Sequence, residues 1–293
     1  MQTRLIQLID DLTAAVFKAQ KRDKYARAAG GLSRGLQNNW TASYVDALDA
    51  ALGILRRSPG KPTAADIDRV LLSLSEDLGT PLAEAIRSDL KKVTTKIYEA
   101  GARDIVGAGY AFDLIDERAI RVLSKHSVFW VGDFYDKQLG ETVAKLGAEI
   151  IKDGVSTAEA GRRFNALFGE KFPKRTAAYW KGLANNTVTR GREMGHVGGY
   201  VEGGIREIEI VAIIDDLTSP ICHEMNGRRF ESERVVQLRD DLIASENPEK
   251  VKQVAPWRSV DDISGLSDAD LPAGMEFPPY HFNCRTRSKV VVD

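Results

Sequence analysis

Asp215-Asp216-Leu217-Thr218-Ser219-Pro220-Ile221-Cys222-His223 and Pro279-Tyr280-His281-Phe282-Asn283-Cys284-Arg285 are the two stretches that decide how this chain is read. They hold both cysteines and two of the four histidines of 293 residues. Thiolate and imidazole are the side chains that hold zinc, and two cysteines brought together can also bond to each other. Every cysteine lying near a histidine implies that the two segments are neighbours in space and close a small C-terminal unit on itself.

Upstream of these stretches the chain reads as helix after helix. Residues 4–28 repeat apolar side chains at helical spacing (Leu5, Ile9, Leu12, Val16), and Ala29-Gly30-Gly31 reads as a break. A second helix is expected over about 41–57, before Ser58-Pro59-Gly60. Thr63 and Asp66 form a capping box ahead of Ile67, Val70, Leu71 and Leu74. Thr80-Pro81 opens a helix that Gly101 stops. A short helix near 116–125 precedes a long one over 128–152, closed by Gly154 as a left-handed cap. Ser156 with Glu159 then starts a helix over 157–168. A last long helix is expected over 174–202, with Trp180, Leu183, Val188, Arg190, Arg192, Glu193 and His196. Gly30-Gly31 and the glycines from Gly195 to Gly204 lack the Gly-Lys-Ser/Thr ending of a phosphate loop and read as helix breaks. His126 reads as a helix-end residue.

The period changes after residue 203. Ile208, Ile210 and Val211-Ala212-Ile213-Ile214 are rich in β-branched residues and predict a strand. Asn226-Gly227 is a hairpin signal with Arg228-Arg229-Phe230 as the second strand. A helix over 232–244 lies within an acidic stretch, 231–275, and Lys289 to Val292 reads as a final strand. The fold class is therefore α+β: a mostly helical N-terminal body with a small β-containing C-terminal unit. Three regions follow, a helical 1–110, a helical 111–203 and the small α+β unit 204–293 with its acidic insert 231–275.

Bulk composition excludes more than it assigns. Hydrophobic residues make up 43% and charged ones 28%, ordinary for a soluble protein. The net charge of −1 gives no global attraction to nucleic acid or anionic membranes. No apolar run reaches the roughly 18 residues that span a bilayer, and the first residues, interrupted by Asp10 and Asp11, lack a signal-peptide core. Two cysteines make no disulfide framework, and a reducing cytoplasm is the expected place of synthesis. Charge is unevenly spread: residues 1–60 carry nine Lys/Arg against five Asp, whereas 231–275 carry ten Asp/Glu against five Lys/Arg.

The ordered series of motifs resembles the head morphogenesis family of tailed bacteriophages, the minor head proteins typified by the F protein of phage Mu. A helix runs through Leu146-Gly147-Ala148-Glu149-Ile150-Ile151-Lys152-Asp153 into Gly154-Val155-Ser156. A later helix carries Arg190-Gly191-Arg192-Glu193. A strand then leads into Asp215-Asp216-Leu217-Thr218 with Pro220 and Cys222, and the close is Pro278 to Arg285, a Pro-Pro-x-His-x-Asn-Cys-Arg element. The resemblance covers about residues 115–293. It implies a non-enzymatic structural protein of the virion, made in the bacterial host cytoplasm and held inside the head near the portal vertex. Its implied partners are the portal or major capsid protein, with packaged double-stranded DNA and a role in head assembly, packaging or delivery. The 1–110 region would supply partner-specific contacts. Members often carry further cysteines at the positions of Ser219 and Thr286, so both departures fall on one implied site.

The residues expected to hold the C-terminal fold are Asp215, Thr218, Cys222, His281, Cys284 and Arg285. For Cys222, His281 and Cys284 three readings stand open: a zinc site with His223 or Asp215 as fourth ligand, an empty polar clasp, and a disulfide. Glu193 or a neighbouring arginine either reaches the Asp215/Asp216 turn and locks the unit to the body or belongs to a solvated face. Two alternatives to a structural role remain. One is a thiol- or metal-dependent hydrolase or toxin-like effector using Cys284 and His281. The other is a DNA-binding module on the basic cluster Lys18, Lys21, Arg22, Lys24 and Arg27, interleaved with Tyr25.

Overall fold

The computed structural model describes residues 23–78, 80–133, 140–168 and 172–291. Its described residues form eleven α-helices and a three-stranded antiparallel sheet, an α+β fold dominated by helix. Helix α1 (Lys24–Arg57) starts on Asp23, whose carboxylate accepts the Tyr25 N–H at 2.8 Å. It runs straight through Gly30-Gly31 because Tyr25, Ala29, Leu32, Leu36 and Trp40 form one continuous buried face. That burial outweighs a cost of about 1 kcal/mol per helical glycine. The expected break there, and a separate helix beginning near 41, are both absent. The expected helix segment 4–22 lies outside the described residues.

Helix α2 (Ala64–Leu78) begins at the expected capping box: Thr63 N–H donates to Asp66 at 2.8 Å and Asp66 N–H to Thr63 Oγ1 at 3.2 Å. The segment opened by Thr80 divides at Ile86 into α3 (Thr80–Ala85) and α4 (Arg87–Val106). Helix α4 passes through Gly101 instead of stopping there. Helix α5 (Leu114–Asp133) merges the expected short helix with the start of the next, so His126 lies well inside a helix. Helices α6 (Glu141–Asp153) and α7 (Thr157–Ala166) flank Gly154, which takes the left-handed cap expected of it (φ 59°).

Helix α8 (Phe172–Glu202) organises the molecule. Trp180, Leu183 and Ala184 near its start belong to a core built with α1, α2 and α3. Met194, Val197 and Tyr200 near its end belong to a second core that contains the sheet, Cys222 and Cys284. The glycines read as breaks are instead its packing face. A Cβ on Gly195 would sit 2.1 Å from the Tyr98 carbonyl oxygen, and one on Gly199 2.8 Å from that of Ala102. Gly101 of α4 answers from the other side, its Cβ direction blocked by the Arg192 oxygen. The two backbones meet because neither carries a side chain at the crossing.

After α8 the chain forms β1 (Glu207–Val211), α9 (Pro220–Met225), β2 (Arg229–Glu231), α10 (Ser232–Ala244), α11 (Val251–Val254) and β3 (Arg287–Val290). The sheet order is β2-β1-β3, with Ile208 opposite Phe230 on one side and Val290 on the other. Asn226-Gly227 does not form a two-residue hairpin. It ends α9, and Asn226 Oδ1 accepts the Ala212 N–H at 2.9 Å while Gly227 takes a positive φ of 85°. The acidic stretch packs as part of the unit: Leu238, Leu242, Val251, Ile263, Leu271 and Met275 all enter the second core. No described helix is long and apolar enough to cross a membrane.

Candidate functional site

The turn after β1 is built by its own side chains. Asp215 Oδ1 accepts the Leu217 N–H at 2.9 Å, and Thr218 Oγ1 accepts the Asp215 N–H at 2.8 Å while donating to the Ile213 carbonyl. Arg285 then grips Asp215 with both guanidinium arms, Nη1 to Oδ2 at 2.8 Å. That grip holds Asp215 far below the usual carboxylate range. Two segments 70 residues apart are thereby pinned together.

Ser219 caps α9, its hydroxyl accepting the Cys222 N–H at 3.4 Å, and Pro220 fills the first helical position. Cys222 therefore points inward from a short helix. On the opposing turn Asn283 adopts the left-handed region (φ 62°), and the Cys284 N–H donates back to the His281 carbonyl at 3.3 Å. Cys222 and Cys284 are each 3% exposed.

The sulfurs lie 3.7 Å apart, and His281 Nε2 is 3.1 Å from Cys222 Sγ. Both cysteines are free thiols, so the disulfide reading does not describe this structure. A tetrahedral zinc ion with bonds of about 2.3 Å to sulfur sets its sulfur ligands about 3.8 Å apart. The observed spacing matches that edge. His281 is also oriented as a metal ligand is: Nδ1–H donates to the Phe282 carbonyl at 2.6 Å and leaves Nε2 with its lone pair facing the sulfurs. Among the described residues the group numbers three. His223 faces solvent and Asp215 is occupied by Arg285, so neither expected fourth ligand joins it.

The thiols titrate as a coupled pair. Hydrogen bonding with Cys284 pulls Cys222 down to about 6 against its burial, and Ser219 and Thr286 hydroxyls contribute in the same direction. The same contact with Cys222, together with burial, pushes Cys284 up to about 12. Hydrogen bonding to the Cys284 sulfur raises His281. The two departures from the resembled pattern, Ser219 and Thr286, thus converge on one sulfur.

The closing segment is zipped onto α8. Phe282 lies on the bare backbone of Gly182, Asn185 donates to Asn283 at 2.7 Å, and Thr189 donates to the Cys284 carbonyl at 3.2 Å. Arg192 donates to the Thr286 carbonyl at 2.8 Å, and Glu193 accepts both the N–H (3.0 Å) and the hydroxyl of Ser288. Glu193 has no exposed surface. Burial pushes its carboxyl upward, but the Arg192 and His196 charges and the Ser288 hydroxyl outweigh it and hold Glu193 at about 2. The lock between unit and body exists, but it engages β3 and not the Asp215/Asp216 turn.

Gly182, Thr189 and Ser288 were not singled out from sequence. For Gly182 and Thr189 the available signal was the recurrence of small and polar residues every third or fourth position along one face of α8. Of the basic cluster, Lys24 is salt-bridged to Asp104, and Tyr25 is buried with its hydroxyl 2.6 Å from the same carboxylate. Arg27 is exposed, and Lys18, Lys21 and Arg22 lie outside the described residues. Comparison with protein-family models, curated proteins and solved structures finds no match to this chain.

Proposed function

We propose that this chain is a structural, non-enzymatic minor head protein of a tailed bacteriophage or prophage. It docks at the portal or the inner capsid surface, inside the virion head, and assists head assembly and DNA packaging or delivery. One observation carries the reading: two of the motif elements that resemble the head morphogenesis family, 215–222 and 278–285, meet in space, Asp215 with Arg285 at the surface and Cys222 with His281 and Cys284 beneath. A chance collection of short motifs has no reason to converge in three dimensions.

In this reading the cluster closes the C-terminal unit, and zinc, bound by Cys222, His281 and Cys284, would cross-link its two segments. Cys284 is a poor candidate nucleophile, since it is buried and its thiol is pushed up to about 12. The helical 1–110 region would supply the partner-specific contacts. The test is co-expression of the chain with portal and major capsid proteins of the same phage genome. The reading expects a stable complex with one of them and reduced incorporation of a Cys284→Ser variant. Absence of any complex, with incorporation of the variant unchanged, would overturn it.

A further inference from the structure

Helices α5 and α8 touch at Ser127 and Thr187 but leave space beside that contact. A cavity of about 710 Å³ opens there, within the range of small-molecule sites. Each helix turns the same face to it, at positions i, i+3, i+4 and i+7: Leu123, His126, Ser127 and Trp130 on α5, and Leu183, Asn186, Thr187 and Arg190 on α8. A packed helix pair carries apolar side chains at those positions. Here five of the eight are polar or charged. Trp130, Tyr179, Trp257 and Phe282 give the space aromatic walls, and the acidic stretch supplies its rim through Lys252 and Trp257.

Three observations define what the space accepts. Arg190 forms no salt bridge among the described residues, and its buried Nε has no hydrogen-bond partner. Burial lowers its pKa to about 10. One helical turn earlier, buried Asn186 Oδ1 also lacks a partner, leaving an acceptor beside the unpaired donor. Three further polar side chains are engaged within the protein: Ser127 and Thr187 hydroxyls bond each other at 3.1 Å, and His126 Nε2 donates to the Ser245 carbonyl at 2.8 Å. Trp257 is 49% exposed at the mouth, and Lys252 sits 4.7 Å from the centre of the Trp130 ring.

We propose that this cavity is a binding site for a small ligand that carries an oxyanion and an adjacent N–H or O–H donor on a flat ring. The oxyanion pairs with Arg190, the donor meets Asn186 Oδ1, and the ring lies between the aromatic walls with Trp257 closing over it. A half-buried guanidinium with no counter-charge among the described residues costs stability, and a ligand charge offsets that cost on binding. The site is separate from the cysteine cluster, although Phe282 borders both.

Calorimetric titration of the full chain with AMP and with indole carboxylate tests the site, because the pair separates a phosphate from a carboxylate. Adenosine and indole are the uncharged controls. At least one charged probe is expected to bind, with its uncharged counterpart weaker by roughly tenfold or more. Arg190→Gln should weaken that probe roughly 10- to 100-fold, and Trp257→Ala should weaken charged and uncharged probes alike. Without ligand, Arg190→Gln should melt at the same or a higher temperature than the parent, as expected when an uncompensated charge is removed. A failure of both charged probes to bind at millimolar concentration overturns the proposal. So does unchanged binding by Arg190→Gln, or a marked fall in its melting temperature, which would reveal a structural partner for the guanidinium.

Discussion

Replacing Glu193 by glutamine keeps the side chain's shape and removes its charge, and the consequence can be worked out from its surroundings. Arg192 lies beside it with 9% of its side chain exposed, so the variant leaves a buried guanidinium without a counter-charge. Breaking such a pair costs about 3–5 kcal/mol. The titration gives a similar figure: a carboxyl held at about 2 against an ordinary 4.5 corresponds to roughly 3 kcal/mol. Because the folded-state value is depressed, this stabilisation is complete above about pH 4.5 and is lost as pH falls through 2. Urea unfolding at neutral pH should therefore show Glu193→Gln less stable by roughly 3 kcal/mol, with the gap to the parent narrowing steadily below pH 4.5. The difference between the two proteins cancels other acid-sensitive groups, such as His126, which burial lowers to about 4. Hydrogen exchange at the Ser288 amide should accelerate in the variant. A loss under about 1 kcal/mol, or a gap independent of pH, would refute the buried-lock account.

Further outcomes follow from other contacts. Gly195→Ala should destabilise by about 1–3 kcal/mol even though alanine favours helix, because its methyl meets the Tyr98 carbonyl, whereas Gly31→Ala, with open space around it, should stabilise by about 0.5–1 kcal/mol. Thermal or urea unfolding reads both, and equal signs for the two would contradict the α4–α8 crossing. Ser219→Cys combined with Thr286→Cys should tighten zinc binding by roughly tenfold or more in competition with a chromophoric chelator. Unchanged affinity would mean that the four positions do not address one ion. In the metal-free protein, iodoacetamide should modify Cys222 before Cys284, with a rate that rises as pH passes about 6. Faster labelling of Cys284 would favour the thiol-chemistry alternative.

Legibility in the sequence followed the range of the interaction. Signals carried by neighbours in the chain were readable: the Thr63/Asp66 box, the left-handed Gly154, the helix over Ser232–Ala244 and the change of period after 203 all depend on local chemistry. Glycine was misread where its use is tertiary. Gly31 is harmless inside a helix whose other face is buried, and Gly195 is needed where a second backbone arrives; neither circumstance is written within a few residues of it. The meeting of Cys222, His281 and Cys284 was readable because chemically scarce residues were concentrated in two short segments. Whether His223 or Asp215 would join them as a fourth ligand was not, since that depends on which way one turn faces. Glu193 was recognisable as a lock, but its partner on β3 could not be chosen until the strand's path along α8 was known.

One consequence of helix α8 reaches beyond either core. Its 31 residues form a strut about 46 Å long whose two halves are walls of different cores. Both cores pack on one continuous helix, so the loss of either removes a support of the other, and heat should register a single cooperative transition and not two.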